Sequence, residues 1–135
     1  MSQAIAVTFK GFTVTACIDP KSKTEIPAKF KPQAVTALKS VQVNPPKGKT
    51  LQPYSVTVSV AIKAVPKGVK AEIKMPFFNL EPYSKKDKLL GQASTEATVQ
   101  TTNPDKGDTE AAVDAALQDA ISTVIGGIQD DAKKP

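Results

Sequence analysis

Histidine and arginine are both absent from this 135-residue sequence, and cysteine occurs once, as Cys17. Without histidine there can be no serine triad, Cys/His dyad, HExxH zinc site or Cys/His metal cluster, and without arginine no arginine-assisted phosphoryl transfer. A single cysteine excludes an internal disulfide. Cys17 also has no histidine or arginine to activate it, so it reads as a passive thiol. No catalytic residue, cofactor or metal is expected, and the chain reads as a non-enzyme. The missing arginine also weighs against base-specific recognition of nucleic acid, because bidentate contact with guanine or phosphate is mainly an arginine task.

Long apolar runs are absent too. Nothing approaches 18 consecutive apolar residues, and the opening MSQAIAV lacks the basic start and apolar block of a secretory signal. The expectation is a soluble chain without a transmembrane segment. Its compartment stays open between the cytoplasm and, had a leader been removed, the periplasm or exterior. Two partial motifs carry little. PPKGKT (Pro45–Thr50) holds only the tail of a phosphate-binding loop, and Asn103–Asp108 lacks the oxygen-ligand spacing of a calcium loop.

What is present is an ordinary globular composition with a lopsided charge. The length suits one domain spanning 1–135, with a frayed tail at 129–135. Residues 1–90 carry 15 lysines against 5 acids, whereas residues 91–135 carry 3 lysines against 8 acids. Lysines and acids should therefore separate in space as well as in sequence.

The pattern along the chain predicts an α+β fold: an antiparallel sheet of four or five strands, a long C-terminal helix packed on one face, and a second short helix. Ile5, Val7 and Phe9 alternate on one parity and Phe12, Val14, Ala16 and Ile18 on the other, so a bulge at Lys10-Gly11 would keep one long strand with a single apolar face. Cys17 then falls on the face away from Val14 and Ile18. Residues 19–27 read as a polar connection. Residues 32–43 read as a helix opened by Pro32 and capped by Lys31, with Phe30 stapled to Val35, although their alternation also permits a strand. YSVTVSVAIKAVPKGVKAEIKM is an antiparallel hairpin with one apolar face. Residues 92–101 form a weaker strand near an edge. Asp108 is placed to cap a helix whose stripe runs from Val113 to Ile125 and which Gly126-Gly127 ends.

PFFNLEPYSKKDKLLG (Pro76–Gly91) holds three of the seven aromatic residues beside three of the lysines. As a connection between strands it is long for a hairpin, and long connections often carry function. Tyr83 with Lys85, Lys86 and Lys88 is the candidate binding set. The competing reading is that Phe77, Phe78 and Leu80 continue the strand and SKKDK is its solvated tip. The function these features suggest is a noncatalytic binding or assembly module, for instance of a bacterial cell envelope, which meets a protein partner through a sheet edge and loops. The alternatives are a lysine-rich binder of nucleic acid or another anionic surface, and a structural subunit of a surface fibre or virion. Neither the partner's identity nor an oligomeric state is legible in the residues.

Overall fold

The computed structural model describes residues 2–39 and 41–135. Its elements are, in order, β1 (Gln3–Ala4), β2 (Val7–Ala16), α1 (Ser22–Leu38), β3 (Gln42–Val43), β4 (Tyr54–Val65), β5 (Gly68–Leu80), β6 (Asp87–Gln100) and α2 (Lys106–Ala132). β1 and β3 form a short antiparallel ladder, and the other strands form a four-stranded sheet in the order β2-β4-β5-β6. Both helices lie against this sheet, α1 on β2 and α2 on β5 and β6.

The central hairpin follows from strict alternation. Val56, Val58, Val60 and Ile62 of β4 and Val69, Ala71, Ile73 and Met75 of β5 are all buried on the helix side. Val65 pairs with Gly68 across a two-residue turn. That glycine is required, since a Cβ there would sit 1.9 Å from the Val99 carbonyl oxygen. β5 continues through Phe77 and Phe78 to Leu80 and pairs with β6 along its length. The strand reading of PFFNL is therefore the correct one, and β6 begins at Asp87 rather than near residue 92.

The sheet is mixed, which corrects the expectation of a wholly antiparallel one. β2 runs parallel to β4, from Val7 opposite Tyr54 to Ala16 opposite Ala61. Parallel neighbours need a crossover element, and α1 provides it. The register shift between Phe9 and Gly11 is the bulge that the change of parity implied, and it keeps Val7, Phe9, Phe12 and Val14 facing the core. A second shift, between Val14 and Ala16, reverses the expected ending. Cys17 packs against the core, while Ile18 is 54% exposed.

The polar reading of residues 19–27 and the proline-opened start at Pro32 are both overturned. α1 begins at Ser22, where Ser22 and Lys23 donate their amides to the Asp19 and Pro20 carbonyls. Pro27 and Pro32 lie inside the helix. Each proline removes the hydrogen bond to the carbonyl four residues back. Those carbonyls belong to Lys23 and Ala28, both exposed, where water can replace the lost bond. The helix is held by its apolar stripe at spacing four: Ile26, Phe30, Ala34 and Leu38 are buried. Phe30 is thus a mid-helix core residue, and Val35, 39% exposed, makes no staple. Beyond Leu38, Val41 and Val43 are buried in an extended segment; position 40 lies outside the described residues.

α2 starts at a capping box in which the Asp105 carboxylate accepts the Asp108 amide at 2.9 Å and Asp108 accepts the Asp105 amide at 3.0 Å. The cap is therefore three residues earlier than expected. The helix runs through Gly126-Gly127 for 27 residues, about 40 Å at 1.5 Å per residue. Burial explains why the glycines do not stop it. Ile128 and Ala132, beyond them, are fully buried, and a Cβ on Gly127 would lie 2.5 Å from the Phe77 ring. Residues 129–132 are thus helical and not a loose tail, and the Lys49 ammonium donates to the carbonyls of Asp131, Ala132 and Lys134 at the helix end. α2 is long and apolar enough to cross a membrane by length and composition; here Val113, Leu117, Ile121 and Val124 are buried within the fold.

Candidate functional site

β5 and β6 are joined by residues 81–86, a six-residue connection. This is close to ordinary hairpin length, so the case for function based on a long loop falls away. What remains is the turn's form. The Glu81 amide donates to the Lys86 carbonyl at 2.9 Å and the Lys85 amide to the Glu81 carbonyl at 3.0 Å. The Ser84 hydroxyl donates to Glu81 Oε2 at 3.1 Å and accepts the Lys86 amide at 3.3 Å. Lys85 sits at φ 58°, the left-handed region that a side chain enters only at a cost. Within this braced turn Tyr83 is 98% exposed.

Of the four candidate residues, Tyr83, Lys85 and Lys86 lie in the turn and Lys88 is the second residue of β6. All four are exposed at one end of the sheet. Tyr83 and Lys88 also border a shallow cavity of about 400 Å³ with Asn79, Leu80 and Pro82. Asn79 is fixed there by donating to the Gln52 and Pro53 carbonyls at 2.9 and 3.2 Å. The set offers one aromatic ring and three ammonium groups. Among the described residues no three His, Cys, Asp or Glu side chains gather closely enough to hold a metal ion.

Two features lie beside this tip: the first was missed from sequence, and the second was expected only as a weaker strand near an edge. Lys10, on the edge strand β2, ion-pairs with Asp87 at the start of the opposite edge strand β6. The sheet is coiled enough at this end for two side chains to bridge its edges. Ser55, which pairs with Thr8 and Phe78 there, is 3% exposed although the helices lie on the other face. Only the bulge at Lys10 hinted at this, because bulges increase local twist.

The second feature is the free edge of β6. Its inner side pairs with β5 from Asp87 to Gln100, and no strand among the described residues pairs with its outer side. After the shift opposite Phe77/Phe78, residues 91–100 run without a further shift and without proline. β2, the other edge, carries two shifts in 10 residues. Bulges, prolines and short length are among the protections of an edge; β6 from residue 91 onward has none of these three and carries one charge, Glu96. Thr95 ties the strand to α2 by donating from Oγ1 to the Ala116 carbonyl at 2.7 Å.

The charges do not part as cleanly in space as in sequence. Lys29–Glu110, Lys70–Glu96 and Lys106–Glu25 each join a residue of the first 90 to one of the last 45. Lys63 pairs with Glu72 across the hairpin and holds that carboxyl below its ordinary range.

No family model and no curated relative matches the chain. Among solved structures, it is similar to the hypothetical protein CT253 from Chlamydia trachomatis at 10% identity, with a TM-score of 0.65 over 92% of this chain and 98% of that one. Two further matches are more distant. One is a lipoprotein candidate from Caulobacter crescentus CB15 at 14% identity, with a TM-score of 0.39 over 90% of this chain and 86% of that one. The other is protein XCC0632 from Xanthomonas campestris, of family DUF330, at 8% identity and a TM-score of 0.47 over 94% of this chain and 84% of that one. The likeness to the chlamydial protein is one of fold.

Proposed function

We propose that this chain is a noncatalytic binding or assembly module, with a bacterial cell envelope as its proposed setting, and that it holds an extended segment of a protein partner along β6. The observation that carries this reading is the outer edge at residues 91–100, which is regular, free of proline and unpaired among the described residues. An extended peptide added to such an edge gains main-chain hydrogen bonds along its length, while alternate side chains supply selectivity. Tyr83, Lys85, Lys86 and Lys88 then act as a secondary contact at the near end of that edge, with the exposed ring as an anchor and the lysines favouring an acidic neighbour.

The test is hydrogen exchange on the free chain and on the chain in the complex recovered from its source. Slowed exchange of amides within residues 91–100 is the expected result. A recovered complex that leaves those amides unchanged would overturn the edge reading. Replacing Tyr83, Lys85, Lys86 and Lys88 together by serine should leave stability within about 1 kcal/mol, as exposed substitutions do, and weaken capture without abolishing protection at 91–100.

A further inference from the structure

A cavity of about 550 Å³ opens at the end of the sheet away from the β5–β6 turn. It lies where the parallel strands β2 and β4 finish and where both helices begin, with Ile18, Ile62, Ser22 and Lys106 on its walls. The crevice beyond the carboxyl ends of parallel strands is where such sheets commonly take ligands, and the volume is that of a small-molecule site. The floor is apolar, made by Ile18, Ile26, Ile62, Ala64 and Pro104. Ile18 is one of the few large apolar side chains left more than half exposed.

The rim carries Asp19, Glu25, Asp105 and Glu110 against Lys29 and Lys106. On a chain of net charge +5, this concavity is therefore negative by two. Lys29 is held by Glu110 and Lys106 by Glu25, which leaves Asp19 and Asp105 without an ammonium partner among the described residues. Lys106 reports the same field, since Glu25, Glu110 and Asp19 all hold its pKa above the ordinary lysine value.

Two helix starts would by themselves favour an anion, each being equivalent to roughly +0.5 charge. Most of their donors are already committed. On α1 the amides of Ser22, Lys23, Thr24 and Glu25 go to the carbonyls of Asp19, Pro20 and Lys21, and on α2 those of Asp108 and Thr109 go to Asp105. The side-chain charge outweighs the two dipoles, and the sign of the site is cationic-seeking.

We propose that this cavity binds a small amphipathic amine, its aliphatic stem on Ile18, Ile26 and Ile62 and its ammonium at the Asp19 and Asp105 side of the rim. The site lies beyond the far end of β6, to which residues 101–105 connect it, and does not use the outer edge of that strand.

The probe is n-hexylamine at pH 7, titrated into the isotopically labelled full chain and followed by backbone amide shifts, with hexanoate and hexanol as matched anionic and neutral controls. Saturable shifts confined to residues 18–29, 62–64 and 104–110, from hexylamine and not from hexanoate, are expected. Asp19→Asn with Asp105→Asn, which keeps a good helix-capping residue at position 105, should weaken binding about tenfold, the scale of a charge-assisted contact. Ile18→Asn alters an exposed position and should weaken binding without lowering the melting temperature. Three results would each overturn the proposal: equal shifts from hexanoate, shifts spread equally to Asp114 and Asp119 on the outer side of α2, or unchanged affinity in both variants.

Discussion

The Tyr54 hydroxyl donates a 2.6 Å hydrogen bond to Oδ2 of Asp131, joining the first residue of β4 to the last turn of α2 across 77 positions of sequence. Tyr54 is 2% exposed and is among the largest fully buried side chains. With Lys49 on the terminal carbonyls, this contact closes the helix end onto the strand layer. It is also why residues 129–132 are ordered.

Tyr54→Phe removes the donor and leaves the ring. The loss should be about 1.5 kcal/mol, the lower end for bonds to a charged group because Asp131 is partly exposed. Burial, then the hydrogen bond to Asp131 and its charge, raise the Tyr54 pKa above its ordinary 10.0. Folding therefore favours the protonated phenol, so the contribution is complete below pH 10 and is lost as pH rises beyond it. Urea unfolding across pH 8 to 11 should show the wild type losing stability faster than Tyr54→Phe above pH 10. Parallel pH curves would contradict this account of Tyr54.

Leu117 is fully buried in the middle of α2. Leu117→Ala should cost about 2 to 5 kcal/mol in denaturant unfolding. A change under about 0.5 kcal/mol, the surface scale, would show that α2 is not docked on the sheet.

The paired glycines of α2 should answer oppositely to the same substitution. A Cβ on Gly126 meets nothing within 4 Å, so Gly126→Ala should stabilise by up to about 1 kcal/mol through helix propensity. On Gly127 the Cβ would lie 2.5 Å from Phe77 Cζ and 2.9 Å from Cε2, and Gly127→Ala should destabilise by about 1 to 3 kcal/mol as an overpacked core does. Thermal melts of the two variants give the sign directly. Equal shifts would mean that Phe77 does not seat against the helix.

Among the described residues five lysines are engaged in ion pairs, three of them uniting the basic and acidic parts of the chain. With 18 lysines offset by 13 acids the net charge is only +5, so binding to heparin or DNA should be weak and should vanish near physiological salt. Retention on heparin through moderate salt would favour the polyanion reading over the edge-binding one.

How far the sequence disclosed the fold depends on what each pattern encodes. Alternation in Val56–Ile62 and Val69–Met75 marks faces, and those faces are the buried ones. It carries no strand direction, which is why β2 was expected antiparallel. The clue would have been the crossover helix, but Pro27 and Pro32 disguise it: local propensity opposes a helix there, and the burial of Ile26, Phe30 and Leu38 overrides it. Gly126-Gly127 misled in the same way, because a stop signal and a close packing contact use the same residue. At the candidate site, the exposure of Tyr83, Lys85, Lys86 and Lys88 was legible from composition. The coiling that lets Lys10 reach Asp87 was not, since it arises from strands far apart in sequence.

Because α2 follows every strand in the chain, the order of synthesis differs from the order of packing. A hairpin forms in about 1 to 10 μs, whereas adding the 27 residues of α2 at about 5 to 20 residues per second takes on the order of seconds. The β4–β5 segment is thus synthesised well before α2, the helix that lies on β5. Throughout that interval the apolar face of β5 lacks its native helix, and a chaperone or a neighbouring chain can reach that face first.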